Sequence, residues 1–428
     1  MGRRFLTSVV IFDFVILVGA GVVGSLVVLD NPLPWESTIA FRGPAGPMVI
    51  VLLGGAVFSE FIGMKVLTMT VPRPSYARAA LVVIGTYMLL AVYVSVTRPW
   101  YSLGFLAVTG GIWLGVILAL RFVLRLRPWS ESMVVVSVNQ SVIDEIDSSP
   151  HASIRSVLDP QSDRVPEPLN QSTGLVIDFG VSFSDKVGQF ISSSLLTGTS
   201  VRGLTAVYEE HTGKLPLAHL ADGWEIPQLV RRHRSYGPFK RILDLLIVLL
   251  AIPASIVAGL MAAVAVKVSS PGPMIYKQSR VGRAGKPFTL YKLRTMDVNS
   301  ESDGPRFASL DDPRITPVGR YLRKLRLDEL PQLWNVLRGD LSLVGPRPEQ
   351  ERFVGEFSEE IPFYSDRHLV RPGITGWAQV NFGYAETVDE TREKLKYDLF
   401  YIKHMSVWMD LRILLRSVAT VLTGSGSR

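Results

Sequence analysis

Four apolar runs fill the first third of the chain, at 5–29, 47–66, 79–96 and 103–124. Each is close to the roughly 20 residues that an α-helix needs to cross a bilayer. The first has no small-residue cleavage signature and is followed by three more, so it reads as a retained helix rather than a signal peptide. Basic residues set the direction. Arg3 and Arg4 precede the first run, Lys65, Arg73 and Arg78 separate the second from the third, and Arg121, Arg125 and Arg127 close the fourth. The two other loops hold only Arg42 and Arg98 as basic residues. Positive charge stays on the cytoplasmic side, so both ends of this four-helix unit, 1–128, face the cytoplasm. Asp13 and Glu60 lie within or beside apolar runs. They are either polar contacts inside a bundle or positions near a membrane edge, and we expect the edge.

The composition, 47% hydrophobic with 19% charged, fits a membrane part joined to a charged part. The net charge is +7. A basic chain with membrane spans meets anionic lipid and phosphorylated substrates more simply than nucleic acid, and no nucleic-acid partner is expected. With 0 cysteines, disulfides, thiolate zinc sites and cysteine nucleophiles are excluded.

Residues 129–228 read as a small cytoplasmic α/β domain of degenerate Rossmann-like type. Strands are predicted at 133–138, 174–178 and 201–208, a helix at 186–196 and a flexible loop at 148–172. No Gly-x-Gly-x-x-Gly follows a strand, so a dinucleotide site is unsupported, and the domain is expected to be structural or regulatory.

A fifth apolar run, 242–266, is long enough to span but carries Pro253 near its middle, which removes a helix hydrogen bond. It is preceded by Arg231, Arg232, Arg234, Lys240 and Arg241 and followed by Lys267, Lys277, Arg280, Arg283 and Lys286. Both flanks are of the cytoplasmic type, which favours a re-entrant helix over 240–267 above a kinked spanning helix. Parity agrees. A fifth crossing would leave everything after 267 outside, away from nucleotide sugars and ATP, so a C-terminal region that uses either requires re-entry.

From Ser269 onward the chain is dense in Gly, Pro, Arg and Lys. Arginine offers bidentate donors to phosphate, glycine lets backbone amides approach it, and proline stiffens the loops between. Among these cations stands an acidic pair, in Leu327-Asp328-Glu329-Leu330-Pro331-Gln332-Leu333-Trp334-Asn335, just after Arg323, Lys324 and Arg326. A carboxylate so placed is expected to have a lowered pKa and stay ionised, able to attack phosphorus or hold Mg²⁺. The bland alternative is a solvated i,i+4 charge lattice, such as Lys324 with Asp328.

Three blocks, Lys292-Leu293-Arg294-Thr295-Met296, the acidic pair with its neighbours, and Gly345-Pro346-Arg347-Pro348, resemble in identity and order those of the polyprenyl-phosphate glycosyl-1-phosphate transferases, or bacterial sugar transferases. The likeness covers 236–423. The four spans and the α/β insert are similar to the large polytopic members that begin exopolysaccharide or O-antigen synthesis. Leu293 and Leu341 stand where that family usually has Phe and Met, and neither has a charged role. The resemblance implies a mainly α catalytic domain at 229–428 with the re-entrant helix broken at Pro253. It implies that Asp328 is the nucleophile, that Glu329 is the Mg²⁺-associated carboxylate, and that Arg323 contacts the lipid phosphate. Lys292, Arg294, Arg280, Arg347, Pro346 and Pro348 would line the phosphate and nucleotide pocket. The implied reaction moves a hexose-1-phosphate from a UDP-sugar to undecaprenyl phosphate through an aspartyl-phosphosugar, with loss of UMP. The implied setting is the cytoplasmic face of the bacterial inner membrane, as a homodimer among membrane lipids.

The segment 397–422 is expected to form either an interfacial helix or an amphipathic helix packed on the domain. A rival reading of the whole chain is a scaffold or transporter component of polysaccharide export without catalysis; a transporter predicts polar groups in several spans, whereas the charge cluster here lies after residue 267.

Overall fold

The computed structural model describes residues 2–32, 41–42, 46–67, 76–97, 100–126, 130–167, 169, 173–217, 226–298, 312–383 and 387–423. Arg73, Arg98 and Arg127 lie outside the described residues, and the side chains of Arg3, Arg4, Arg42, Lys65, Arg231, Arg232 and Arg234 are likewise not described. The chain divides into two units, Met1–Gly213 and Lys214–Arg428.

The first unit begins with four helices, α1 (Gly2–Leu29), α2 (Gly46–Leu67), α3 (Tyr76–Thr97) and α4 (Leu103–Leu126), with a two-residue pairing of β1 (Phe41–Arg42) and β2 (Trp100–Tyr101). Small and aromatic side chains fill the bundle, Ala20, Ala56 and Ala79 against Leu17, Trp113 and Ile117. Ile11, Phe12, Val15, Ile84 and Met88 point outward and stay exposed, a pattern that suits lipid rather than water. Among the described residues, four helical stretches are long and apolar enough to cross a membrane: Ser8–Leu29, Arg78–Thr97, Leu103–Leu126 and Tyr236–Ser269. Val49–Ile62 of α2 is a shorter apolar helix.

Among the described residues, each bundle helix contributes one buried acidic or basic side chain. Arg121 of α4 pairs with Asp13 of α1, and Arg78 of α3 donates through Nε (3.0 Å) and Nη2 (2.6 Å) to Glu60 of α2. Asp13 is 1% and Glu60 2% exposed. Both acids are therefore polar contacts inside the bundle, the first of the two readings. Interior acids need partners because an unpaired charge there is costly, and each acid has found an arginine from another helix.

The remainder of the first unit is a four-stranded parallel sheet in the order β4-β3-β5-β6, built from β3 (Glu131–Val136), β4 (Ala152–Leu158), β5 (Gly174–Ile177) and β6 (Val201–Gly203). Helices α5 (Gln140–Asp147), α6 (Asp185–Leu196) and α7 (Leu204–Thr212) accompany it. Met133, Val135 and Val176 pack with α5 and α7, while Val134, Leu175 and Ile177 pack with α6. This two-sided burial explains the continuous apolar strands. Two expectations need correction. The strand at 201–208 stops at Gly203, because Leu204, Val207 and Tyr208 recur at helical spacing and bury together on the sheet. The loop at 148–172 contains β4, an edge strand whose outer positions are solvated and so carry the polar residues that disguised it.

The second unit opens with α8 (Ile226–Ser269), which has Pro238 and Pro253 inside it. A hairpin of β7 (Ile275–Val281) and β8 (Pro287–Leu293) follows, then α9 (Pro317–Lys324) and α10 (Gln332–Arg338). β9 (Ser342–Val344) pairs in parallel with β10 (Gly373–Thr375), with α11 (Glu351–Glu360) between them. The chain closes with α12 (Trp377–Asn381), α13 (Val388–His404) and α14 (Val407–Thr423). The predicted single helix at 397–422 is thus two, divided at Met405 and Ser406. Leu399, Met409 and Ile413 are fully buried, so packing on the unit dominates, while Leu415 and Val418 stay exposed.

Both ends of the apolar stretch of α8 are tied to this one unit. At the base, Lys240 Nζ donates to Asp410 Oδ2 (2.6 Å), Arg241 donates to the Val336 and Leu337 carbonyls at the end of α10, and Ser342 Oγ donates to Asp244 (2.7 Å). Toward the far end, Ala262 and Val266 pack on Leu293 and Leu322, and Arg294 Nη2 donates to the Ser270 carbonyl (2.8 Å). Between the two, Leu249, Leu250, Ile256, Val257 and Leu260 are exposed.

Candidate active site

The site is built where α9 ends. Thr316 caps this helix by accepting from Gly319 N (3.0 Å), and Pro317 begins it. Helix α9 stops at Lys324, and Arg326 takes φ +54°, a left-handed conformation unusual for a residue with a side chain. That twist starts a separate 3₁₀ turn, Leu327–Glu329, on which Asp328 and Glu329 are each only 8% exposed. The i,i+4 lattice of Lys324 with Asp328 is therefore not formed. Behind the turn, Asn335 is fully buried, donating to the Thr289 carbonyl (2.7 Å) and accepting from Tyr291 N (3.2 Å). This joins α10 to β8, the strand that carries Lys292.

Glu329 faces two arginines. Arg326 Nη1 lies 3.4 Å from one carboxylate oxygen, and Arg347 Nη1 and Nη2 both lie 3.4 Å from the other. These contacts are longer than tight charge-assisted bonds, which normally run below 3 Å. Burial would raise the Glu329 pKa, but Arg347, Lys292 and Arg326 outweigh it and hold the carboxyl below its usual range. Asp328 behaves differently and corrects the expectation of a lowered pKa. Burial and the adjacent Glu329 anion push it up to about 6, against the pull of Lys292, Arg323 and Arg347. Lys292 is itself lowered to about 8 by burial and by Arg347, against the two carboxylates. Two carboxyls with opposite shifts side by side suit different tasks, one reactive and one constantly anionic.

Lys292, Arg323 and Arg347 thus join the acidic pair. Arg323 is aimed by Thr295, whose Oγ1 accepts from its Nε (2.9 Å). Arg280 stands one step back. It donates to Gln278 Oε1 (2.9 and 2.6 Å) and to the Pro348 carbonyl (3.0 Å), and its charge reaches Lys292. Pro346 and Pro348 are buried and shape the loop, with the Pro346 carbonyl accepting from Gly373 N (2.9 Å). Arg294 turns to the end of α8, where Nη2 meets the carbonyl and hydroxyl of Ser270 (2.8 and 2.7 Å). Its Nε and Nη1 are buried without a hydrogen-bond partner.

Sequence reasoning missed a charge network under Arg347. Glu349 meets Lys394 (2.7 Å) and Arg280 (3.5 Å), while Arg367 meets Asp398 (2.8 Å) and the Arg347 carbonyl (3.0 Å). Its members are scattered from 280 to 398, and only Glu349, one residue past Pro348, sits beside a recognised block.

The donors available to a cation are the two oxygen-rich side chains of the turn. Mg²⁺ typically takes one or two carboxylates and completes its shell with water and substrate phosphate, so Asp328 and Glu329 fit it. Among the described residues no group of three or more His, Asp or Glu gathers as an all-protein cage.

Residues 235–424 match the family model described as bacterial sugar transferase. The chain is 45% identical over 243 residues to the UDP-N-acetylgalactosamine-undecaprenyl-phosphate N-acetylgalactosaminephosphotransferase of Aeromonas hydrophila, covering 56% of each chain. It is 46% identical over 186 residues to a UDP-glucose:undecaprenyl-phosphate glucose-1-phosphate transferase of Caulobacter vibrioides, covering 43% of this chain and 70% of that one. A transferase of the same name from Escherichia coli is 45% identical over 158 residues, 36% of this chain and 34% of the relative. The similarity to the Aeromonas protein therefore spans little more than half its length.

Proposed function

The chain belongs to the bacterial sugar transferase family, and we propose that it transfers a hexose-1-phosphate from a UDP-sugar to undecaprenyl phosphate, the first membrane step of an exopolysaccharide or O-antigen. One observation carries this reading: two buried carboxyls share a turn, ringed by Lys292, Arg323 and Arg347. In the first step a carboxylate oxygen of Asp328 attacks the β-phosphorus of the donor. The bond to the bridging oxygen breaks and UMP leaves, giving an aspartyl-phosphosugar. In the second step an oxygen of the lipid phosphate attacks the same phosphorus and frees Asp328. Above about pH 6 Asp328 is mostly the carboxylate that attack needs. Lys292 and Arg347 balance the diphosphate charge, and Arg323 meets the acceptor phosphate. Mg²⁺, held by Glu329 with Asp328 beside it, would neutralise charge on the transferring phosphoryl group.

We infer that the apolar stretch of α8, which stays helical through Pro253 instead of breaking there, serves this chemistry as a re-entrant element. Lys240 and Val266 would be about 39 Å apart on a straight helix, more than the roughly 30 Å of hydrocarbon. Both are nevertheless bound to the same folded unit, which supports a chain that returns to the side it left. The catalytic unit then faces the cytoplasm from the inner membrane, at the depth where a lipid phosphate and a water-borne donor both arrive. The homodimer belongs to this proposal, and the mass of the particle in nanodiscs tests it.

The decisive experiment incubates purified protein with undecaprenyl phosphate, Mg²⁺ and a panel of UDP-sugars and measures UMP. Release by the wild type, a phosphosugar adduct on Asp328, and loss of both in Asp328→Asn are the expected results. Undiminished turnover by Asp328→Asn ends the covalent mechanism.

A further inference from the structure

Arg347 owes its place to atoms that do not touch the acidic pair. Two other arginines grip the backbone just after its side chain. Arg367 Nη2 donates to the carbonyl of Arg347 itself (3.0 Å), and Arg280 Nη1 donates to the carbonyl of Pro348 (3.0 Å). Both are anchored by the same carboxylate, Glu349, at 4.0 Å from Arg367 and 3.5 Å from Arg280. Arg367 has a side chain only 3% exposed and divides its fork among three acceptors, the Arg347 carbonyl, Asp398 Oδ2 (2.8 Å) and Tyr364 Oη (2.7 Å). A planar guanidinium with fixed donor directions can satisfy all three, and a lysine ammonium at the end of a flexible stem cannot do so with the same geometry.

We propose that Arg367 is a positioning residue for the transfer, fixing the backbone at Arg347 so that this guanidinium faces Glu329 and the phosphate that would lie beside it. The inference deepens the preceding reading and rests on it, because it takes Arg347 to be a substrate-phosphate residue. A buried arginine spent wholly on one loop and one helix is ordinarily a structural brace. Here the braced atom is the carbonyl of Arg347 itself, whose two terminal nitrogens reach Glu329. A shift of about 1 Å in such a group costs rate without unfolding the protein.

A double-mutant cycle separates the two roles. Arg367→Lys keeps the charge and loses the fork. It should lower kcat/KM about tenfold, mainly in kcat, in the range that coupled neighbours show. In an Arg347→Ala background the same change should cost less than about twofold, since the group it positions is gone. Tyr364→Phe is a milder second variant that removes one acceptor from Arg367 and nothing from Arg347. It should show the same pattern with a loss of about threefold. A second readout needs no turnover: phenylglyoxal modification of Arg347, followed by peptide mass, should be faster in Arg367→Lys than in the wild type. Equal kinetic losses in both backgrounds, or an unchanged labelling rate, overturn the proposal. An inactive wild type would defeat the transfer reading alone, while the labelling arm would still decide whether Arg367 holds Arg347.

Discussion

Glu349 allows the charge network to be weighed. Burial alone would raise its carboxyl, yet Lys394, Arg367 and Arg280 bring it from 4.5 down to about 2. At about 1.4 kcal/mol per pH unit, the ionised side chain contributes about 3 kcal/mol of stability at neutral pH. The sign follows from the direction of the shift. A carboxyl whose folded pKa is depressed stabilises above its unfolded value, so the contribution is complete above pH 4.5 and is lost as pH falls towards 2. Glu349→Gln removes the charge and leaves three cations facing an amide. For a unit of this size, about 3 kcal/mol corresponds to roughly 6–12 °C in melting temperature. Thermal unfolding of both proteins in the same detergent should show that gap at pH 7. By pH 3 the gap should fall to under half, about 1 kcal/mol, because the wild type has by then lost most of the advantage. Other carboxylates titrate equally in both proteins, so the difference isolates Glu349. A gap below about 2 °C at pH 7, or one that persists unchanged into acid, would refute the account of this network.

Asp328→Asn should reduce UMP release by about 10⁴-fold or more, as removal of a covalent nucleophile does, with little change in melting temperature. Gly319→Ala places a methyl group against the Thr295 carbonyl at the start of α9. It should destabilise by about 1–3 kcal/mol and lower activity by displacing Arg323, read as a lower melting temperature together with a lower kcat/KM. In the bundle, Asp13→Asn strips Arg121 of its anion and should cost about 3–5 kcal/mol, seen as poor recovery of folded protein from membranes. The exchanged pair Asp13→Arg with Arg121→Asp should recover part of that loss. Equal yields of the Asp13→Asn variant and the wild type would show that the buried pair contributes nothing.

What the sequence revealed, and what it hid, follows the range of each interaction. Apolar runs and flanking arginines are local features, so the helices of the bundle could be read from spacing. The acidic pair was visible because two carboxylates among arginines break a local pattern. The quartet of Asp13, Glu60, Arg78 and Arg121 was not, because each member is alone on its own helix and only packing brings it a partner. Asp328 was misjudged for a related reason. Counting neighbouring cations along the chain predicts a lowered pKa, but burial and the Glu329 anion act in space and prevail. The left-handed turn at Arg326 was equally hidden, since an arginine gives no hint of positive φ, yet it is what separates the pair from α9 and directs both carboxyls inward. Lys292, Arg323 and Arg347 come from a strand, a helix and a loop. A site assembled this way balances its charges only when all three are in place. That is why holding a single loop, through Arg367 and Glu349, bears on the reactivity of a carboxyl on a different element.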